Sequence, residues 1–395
     1  MFKRLSLSGI KLLSALFLGA IVMLPGCSSV LKVEPMPEPI AERKAQPKVI
    51  IAHRGASGYL PEHSLAAKAM AYAMGVDYIE QDVVMTKDNQ LVVLHDHYLD
   101  RVTDVMSRFP KRYRLVSGQK RWFAIDFTLA EIKQLKMSEG FTLDKTSESL
   151  TAGYPNRFPL FKSSFSVSTL AEEIELIKGL NHSTGKNIGL YVEIKAPWFH
   201  RHEGKDISKA VLSLLKTYGY TSKSDKIYLQ CFDPIEIKRI HDQLMPALGV
   251  ELKLVQLIAE TDWFETFTYE HGKATPYNYD WMFKADAMAK IAKYADAIGP
   301  WKSMLVSDES TTDHLIISNM VKQAHDAGLK VHPYTFRNDP GRIPGYASNF
   351  DDMLDIFLYQ VGVDGVFTDY PDLAVDFVQR RKSPEYKVIR RSQGE

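Results

Sequence analysis

Two cysteines in 395 residues leave no basis for a disulfide framework or a four-thiolate zinc site. Charge of one sign is missing as well. The 49 Lys and Arg against 48 Asp and Glu give a formal +1, without the basic surplus of an electrostatic nucleic-acid binder. No apolar run reaches the roughly 18 residues that mark a membrane-spanning helix. Residues 12–24 come nearest, but at ~1.5 Å per residue they span about 20 Å as a helix, short of a ~30 Å hydrocarbon core. A G-x-G-x-x-G turn, a P-loop and an H-E-x-x-H helix are all absent, which weakens nucleotide-binding and zinc-peptidase readings. Apolar content of 45% argues against wholesale disorder and fibrous repeats. A globular body remains, with something extra at its start.

Lys3, Arg4 and Lys11 flank the start of the apolar run, and Pro25-Gly26-Cys27 ends it. A charged start, a short apolar stretch and a small residue before a break describe an export signal over 1–26. Leu24-Pro25-Gly26-Cys27 resembles a bacterial lipobox, in which the cysteine is acylated and becomes the first mature residue. Residues 27–47 hold four prolines among charged side chains and no apolar periodicity, which reads as a semi-extended linker. Ser28, with no aspartate after the cysteine, resembles the outer-membrane sorting pattern of a Gram-negative cell. The expectation is an exported protein, periplasmic or an outer-membrane lipoprotein, tethered to the membrane through Cys27. Cys231 lies in an apolar strand and reads as a small buried hydrophobe.

From residue 48 to 382 short apolar runs alternate with amphipathic stretches, and residues 383–395 form a polar tail. The runs fall at 49–52, 78–84, 188–194, 227–232, 252–258, 295–298, 331–334 and 365–367. Helical patterns occupy 64–74, 207–218, 234–244, 285–294, 312–327 and 352–361. Near-continuous apolar strands alternating with helices indicate a parallel sheet covered by helices. Eight of them favour a closed (β/α)8 TIM barrel over an open doubly wound sheet. Residues 97–170 depart from the pattern, with polar, aromatic and proline-rich composition and one helical piece at 129–137. A segment that long predicts an inserted subdomain after the second strand, over the C-terminal face where barrel enzymes keep their sites.

Chemistry-bearing residues collect at strand ends. The first run ends in His53-Arg54-Gly55-Ala56. The second places Glu80 and Asp82 two residues apart, on one face of a strand. Residues 91–94 end in His95-Asp96-His97, and the run at 188–194 carries Glu193 with Lys195 following. Each has an ordinary reading: solvated carboxylates at a sheet edge, a Glu193–Lys195 pair, hydrogen-bonded core histidines. Together they read differently. Three carboxylates in one mouth repel each other unless a cation sits between them, and burial without one costs several kcal/mol per ion. All-oxygen ligands suit calcium or magnesium. A hard cation beside Arg54 and Lys195 suits an anionic phosphoryl group, and two imidazoles with ordinary pKa of about 6.5 suit acid–base work near neutrality. This inventory describes metal-assisted phosphodiester cleavage.

The run from His53-Arg54-Gly55-Ala56-Ser57-Gly58-Tyr59-Leu60-Pro61-Glu62-His63, with Glu80-Gln81-Asp82 and Leu94-His95-Asp96-His97, resembles the glycerophosphodiester phosphodiesterase family. It is similar to the exported branch of periplasmic enzymes and surface lipoproteins. Further matching stretches are Glu193-Ile194-Lys195-Ala196-Pro197-Trp198-Phe199-His200, Asn278-Tyr279-Asp280-Trp281-Met282-Phe283-Lys284, His332-Pro333-Tyr334-Thr335 and Phe367-Thr368-Asp369. The resemblance spans about 48–380. It implies calcium, rather than magnesium, on Glu80, Asp82 and Glu193, with His53 and His95 as the acid–base pair and Arg54 on the phosphate. It also implies attack by the substrate's own glycerol 2-hydroxyl through a cyclic phosphate. The expected products are sn-glycerol 3-phosphate and an alcohol such as choline or ethanolamine. His63-Ser64 stands where many members have Asn-Thr, and Val192 where the close branch has proline. Lys195 is a phosphate contact or the partner of Glu193 or Glu80, His97 is unassigned, and Trp198, Phe199 and Trp281 line the glycerol site or pack at the barrel rim. Arg101, Arg108, Lys111, Arg112, Arg114, Lys120 and Arg121 make the insertion a polar lid for a water-soluble small molecule rather than an intact lipid. A second role in binding a host protein stays open.

Overall fold

The structure is a computed structural model that describes residues 47–143 and 149–382. The expected signal, Cys27, most of the linker and the polar tail lie outside the described residues. Eight short aliphatic and β-branched segments form parallel strands: β1 (Val49–Ala52), β2 (Tyr78–Met85), β3 (Gly189–Ile194), β4 (Ile227–Cys231), β5 (Lys253–Leu257), β6 (Ala297–Gly299), β7 (Lys330–Val331) and β8 (Gly365–Thr368). They pair in chain order from β1 to β7, and β8 returns to pair with β1. Backbone bonds from Asp364 N to Val331 O, Phe367 N to Pro333 O and Phe336 N to Phe367 O join β8 to the β7 segment and complete the barrel.

Strand periodicity decides what faces the barrel interior. Ile51, Tyr78, Tyr191, Val255, Ala297 and Phe367 form a buried cluster inside it. Alternate residues on the same strands, such as Ile50, Ala52, Ile79, Leu190 and Val192, join the larger core between strands and helices. Farther along each strand in steps of two, the inward line reaches His53 above Ile51, Glu80 and then Asp82 above Tyr78, Glu193 above Tyr191, and Asp369 above Phe367. The site thus stands on the packed aromatic and aliphatic floor of the barrel, at its C-terminal mouth.

His95 follows an apolar strand that is not one of the eight of the barrel. The strand Leu91–Val93 runs antiparallel to the last residues of β2, with Val83 opposite Val93 and Met85 opposite Leu91. The tight turn between them is closed by Gln90 N donating to Thr86 Oγ1 at 2.9 Å. This hairpin prolongs β2 past the mouth and brings the chain back over it.

The insertion then follows β2, with its own apolar core of Val92, Leu94, Trp122, Phe127, Ile132 and Met137. Two small hairpins, Arg114–Val116 with Gln119–Arg121 and Phe141–Leu143 with Leu150–Ala152, lie within it. The helix expected over 129–137 covers only Leu129–Ile132, opened by a Thr128–Glu131 capping box. Met137 instead bridges Thr103 and Phe165, because the core of the insertion claims it in extended form. The pattern at 312–327 likewise yields a helix only over Met320–Asp326. Among the described residues no helix is long and apolar enough to cross a membrane.

Candidate active site

Just past β1 the chain turns through Arg54 at φ 59° and Gly55 at φ 87°, left-handed conformations that disfavour a side chain. A Cβ on Gly55 would stand 2.8 Å from the backbone carbon of Ala67, so glycine is required there. The turn aims Arg54 N at Glu80 Oε2, 2.9 Å away. Strain held at such a position marks a functional segment.

Both histidines are gripped at Nδ1 by a carboxylate. His53 Nδ1 lies 2.5 Å from Asp369 Oδ1, and His95 Nδ1 lies 2.7 Å from Asp96 Oδ1. Asp369 Oδ2 also accepts from Arg157 Nη2 at 2.5 Å and Arg337 Nε at 2.7 Å. Burial opposes ionisation of Asp369, but Arg337, His53 and Arg157 outweigh it and hold the carboxyl well below its usual range. An ionised aspartate fixes the proton of a neutral imidazole on Nδ1 and leaves Nε2 free to act. Burial, helped by Arg54, pushes His53 down to about 4. Burial, Arg54 and Lys195 lower His95 as well. Two neutral, oriented imidazoles result.

Three carboxylates share the floor beside them. Glu80, Asp82 and Glu193 each offer an oxygen within 4.8 Å of the others, and all three side chains are buried. Burial first, then Asp82 and its neighbour Glu193, push Glu80 well above the usual carboxylate range, while burial pushes Glu193 up to about 8 despite Lys195. Asp82 is held well below that range, since His63 and Lys195 outweigh its burial. Asp82 Oδ1 and Gln230 Oε1 are buried oxygens without a hydrogen-bond partner. Unpaired buried oxygens beside mutually raised carboxylates fit a bound hard cation, which would satisfy both.

Lys195 Nζ sits 2.8 Å from Glu193 Oε1 and is not among the residues lining the cavity. Arg54 lines it, and so does Arg337, two residues after Thr335 on the continuation of β7. The cavity holds about 210 Å3, and its aromatic wall is Phe232, Trp263, Trp301, Tyr334 and Phe367. Trp198 and Phe199 are not part of that wall. They pack with Phe123 and with His97, which stacks on Phe199 at 4.7 Å between ring centres. His97 is thus a packing residue. Trp281 lines a separate surface hollow with Lys238 and Tyr294.

Several contributors escaped sequence reading. Asp96 and Asp369 lay inside quoted motifs without a role. Arg157, from the insertion, and Arg337 follow no periodic pattern. His63, which places Nε2 2.8 Å from Asp82 Oδ2, was noted only as a departure from Asn. Behind it Lys68 reaches His63 Nδ1 at 3.1 Å and Glu173 Oε2 at 3.0 Å, a fully buried relay that steadies the carboxylate floor.

Comparison with known proteins identifies the family. Residues 53–373 match the model of the glycerophosphoryl diester phosphodiesterase family. A glycerophosphodiester phosphodiesterase of Haemophilus influenzae is 51% identical, over 84% of this chain and 90% of its own length. One from Treponema pallidum is 45% identical, over 85% and 92%. Among solved structures, a chain from Silicibacter pomeroyi superposes with a TM-score of 0.56 at 24% identity, over 85% of this chain and 95% of that one. An Oleispira antarctica phosphodiesterase in complex with the product sn-glycerol-3-phosphate does so at 0.53 and 20%, over 84% and 96%. Those two likenesses carry the barrel fold, and the family match and the two sequence relatives carry the activity: the chain belongs to the glycerophosphoryl diester phosphodiesterase family and is an enzyme of that activity.

Proposed function

We propose that this enzyme cleaves glycerophosphocholine, glycerophosphoethanolamine and similar diesters to sn-glycerol 3-phosphate and an alcohol. His53 and His95 are the acid–base pair, Arg54 and Arg337 grip the phosphoryl oxygens, and Glu80, Asp82 and Glu193 hold a divalent cation. The observation that carries the reading is the pair of imidazoles, each held at Nδ1 by a carboxylate, beside three buried carboxylates in one cavity. One neutral imidazole takes the proton of the attacking hydroxyl at Nε2. The other acts once it has taken up a proton at Nε2 from solvent, its carboxylate stabilising the imidazolium, and gives that proton to the departing alcohol oxygen, so that no free alkoxide forms. The arginines offer fixed positive charge to the phosphoryl group as negative charge redistributes. Lys195, engaged with Glu193, tempers the carboxylate floor rather than reaching the phosphate.

The cation, when bound, supplies charge stabilisation at the phosphoryl and hydroxyl oxygens. Calcium suits the donor set better than magnesium. Calcium takes six to eight oxygens in flexible geometry, whereas magnesium commonly keeps its waters and one or two carboxylates. The test is hydrolysis of glycerophosphocholine by metal-stripped enzyme titrated with each ion. Glycerol 3-phosphate appearing with calcium supports the reading; recovery with magnesium alone overturns the calcium assignment. Product bearing phosphate on the choline side overturns the cleavage site.

Export and a lipid anchor on Cys27 complete the proposal, supported by Lys3, Arg4, the apolar run and the lipobox-like Leu24-Pro25-Gly26-Cys27. Labelled palmitate entering wild type but not Cys27→Ala in a Gram-negative host is the expected result. Equal labelling of both refutes it.

A further inference from the structure

His53, Arg54, His95 and Arg337 line two cavities. One is the cavity of the carboxylate floor; the other, of about 360 Å3, opens toward the insertion and is closed by Glu139, Phe141 and Tyr154. Displacement at phosphorus sets the attacking and leaving oxygens roughly in line on opposite sides. Two hollows that share one acid–base and arginine lining can take the two halves: the half of the substrate that carries the nucleophile on the floor side, the departing alcohol on the insertion side.

Of the acidic groups of the second hollow, Glu139 alone keeps an oxygen without a hydrogen-bond partner, and the others are paired with cations. Glu62 is taken by Arg54 and Arg101, Asp96 by Arg101 and His95, and Asp369 by His53, Arg157 and Arg337. Arg157 also pairs with Asp339, donates to Ser57 O and lies over the Tyr154 ring. Glu139 is 2% exposed, lines the hollow, and its Oε2 is a buried oxygen without any hydrogen-bond partner. Its position is built in. Ser138 N donates to Val102 O and Phe141 N to Arg101 O, and a Cβ on the intervening Gly140 would stand 2.9 Å from Arg101 Nη1. Burial, with the nearby Glu62 charge, pushes the Glu139 carboxyl up to about 8, outweighing the opposing Arg157 charge and a backbone hydrogen bond from Gly140. A pinned, buried carboxyl group with one unpaired oxygen, beside the Phe141 ring, is the chemistry that recognises an ammonium group, bare or methylated.

We propose that the second hollow binds the alcohol half of the substrate and that Glu139 selects alcohols carrying an ammonium group over neutral ones. The proposal rests on the phosphodiester reaction above and specifies its head-group preference. It makes Glu139 a specificity residue supplied by the insertion.

The test compares kcat/KM for glycerophosphoethanolamine and glycerophosphocholine with that for glycerophosphoglycerol, whose departing alcohol is neutral. Wild type is expected to prefer the cationic pair. In Glu139→Gln that preference ratio falls about tenfold or more, the scale of one lost charge-assisted contact. Wild type preferring glycerophosphoglycerol, a ratio unchanged in Glu139→Gln, or equal losses on all three substrates overturns the proposal. The wild-type ranking reads the preference even where the variant folds poorly. Should wild type cleave none of the three, the parent reaction fails instead. Equilibrium titration of choline and ethanolamine into wild type and Glu139→Gln then decides the hollow by itself, with tighter binding to wild type expected and equal or no binding overturning it.

Discussion

Replacing Glu80 by glutamine turns the carboxylate floor into a measurable energy. Its oxygens lie within 4.8 Å of those of Asp82 and Glu193. Two unit charges at that distance repel by about 3.5 kcal/mol at an effective dielectric of about 20, and Glu80 has two such neighbours. Protonation absorbs part of that repulsion, since burial with Asp82 and Glu193 raises Glu80 well above the usual range and burial raises Glu193 to about 8. Carboxyls raised in the folded state bind protons more tightly there than when unfolded. Their contribution to stability is therefore complete below the ordinary pKa of 4.5 and fades as pH climbs toward 8. Metal-free wild type should lose stability across that window, and Glu80→Gln should lose less. At pH 9 without metal the variant should unfold at or above the wild-type temperature, although a polar side chain has replaced a catalytic-site acid. Calcium at a hundred times its dissociation constant adds about 2.7 kcal/mol to wild type, on the order of 4 °C for a domain of this size. Most of that gain should vanish in the variant. Thermal unfolding followed by circular dichroism, with chelator and then with calcium, reads both effects. A variant that keeps the full calcium shift, or melts several degrees below metal-free wild type at pH 9, would falsify the reasoning.

Other expectations follow from the same contacts. Asp369→Asn removes the ionised partner of His53 Nδ1 and should cost about a thousandfold in kcat, the scale of losing an imidazole's orienting carboxylate; a loss under tenfold speaks against that role. Because burial and Arg54 hold His53 down to about 4, its nitrogen resonances should keep the pattern of a neutral ring protonated at Nδ1 from pH 8 to pH 5.5. An ordinary titration near 6.5 contradicts this. Lys68→Met leaves the buried Glu173 carboxylate without its cation and should cost about 3–5 kcal/mol in urea unfolding. The double variant Lys68→Met with Glu173→Leu should recover most of it, and an equally unstable double variant argues against the pair.

The site was legible where function rides on strand periodicity. Glu80, Asp82 and Glu193 sit on inward positions two residues apart or at matched register, and β2 pairs with β3 so that Asp82 lies beside Glu193. His53 and Arg54 were readable because they terminate β1. What stayed hidden depends on contacts between distant parts of the chain. The bond between His53 and Asp369 joins residues 316 apart, and Arg157 reaches Asp369 from a loop 212 residues away. His95 was found for an incomplete reason: its strand belongs to an antiparallel hairpin on β2, not to the barrel. Of the two readings open for Trp198, packing holds, since it contacts His97 of the insertion and Phe267, whereas Trp263 and Trp301, which line the mouth, stand in segments without periodicity.

The most direct measurement is the turnover of a glycerophosphodiester by His53→Ala and His95→Ala, each saturated with calcium and shown by calcium titration to bind the ion as wild type does. Removal of either imidazole should lower kcat by at least a hundredfold, the ordinary reach of positioned acid–base catalysis, with glycerol 3-phosphate as the product of whatever activity remains. Either variant turning over within tenfold of wild type would contradict the assignment of the two histidines as the acid–base pair.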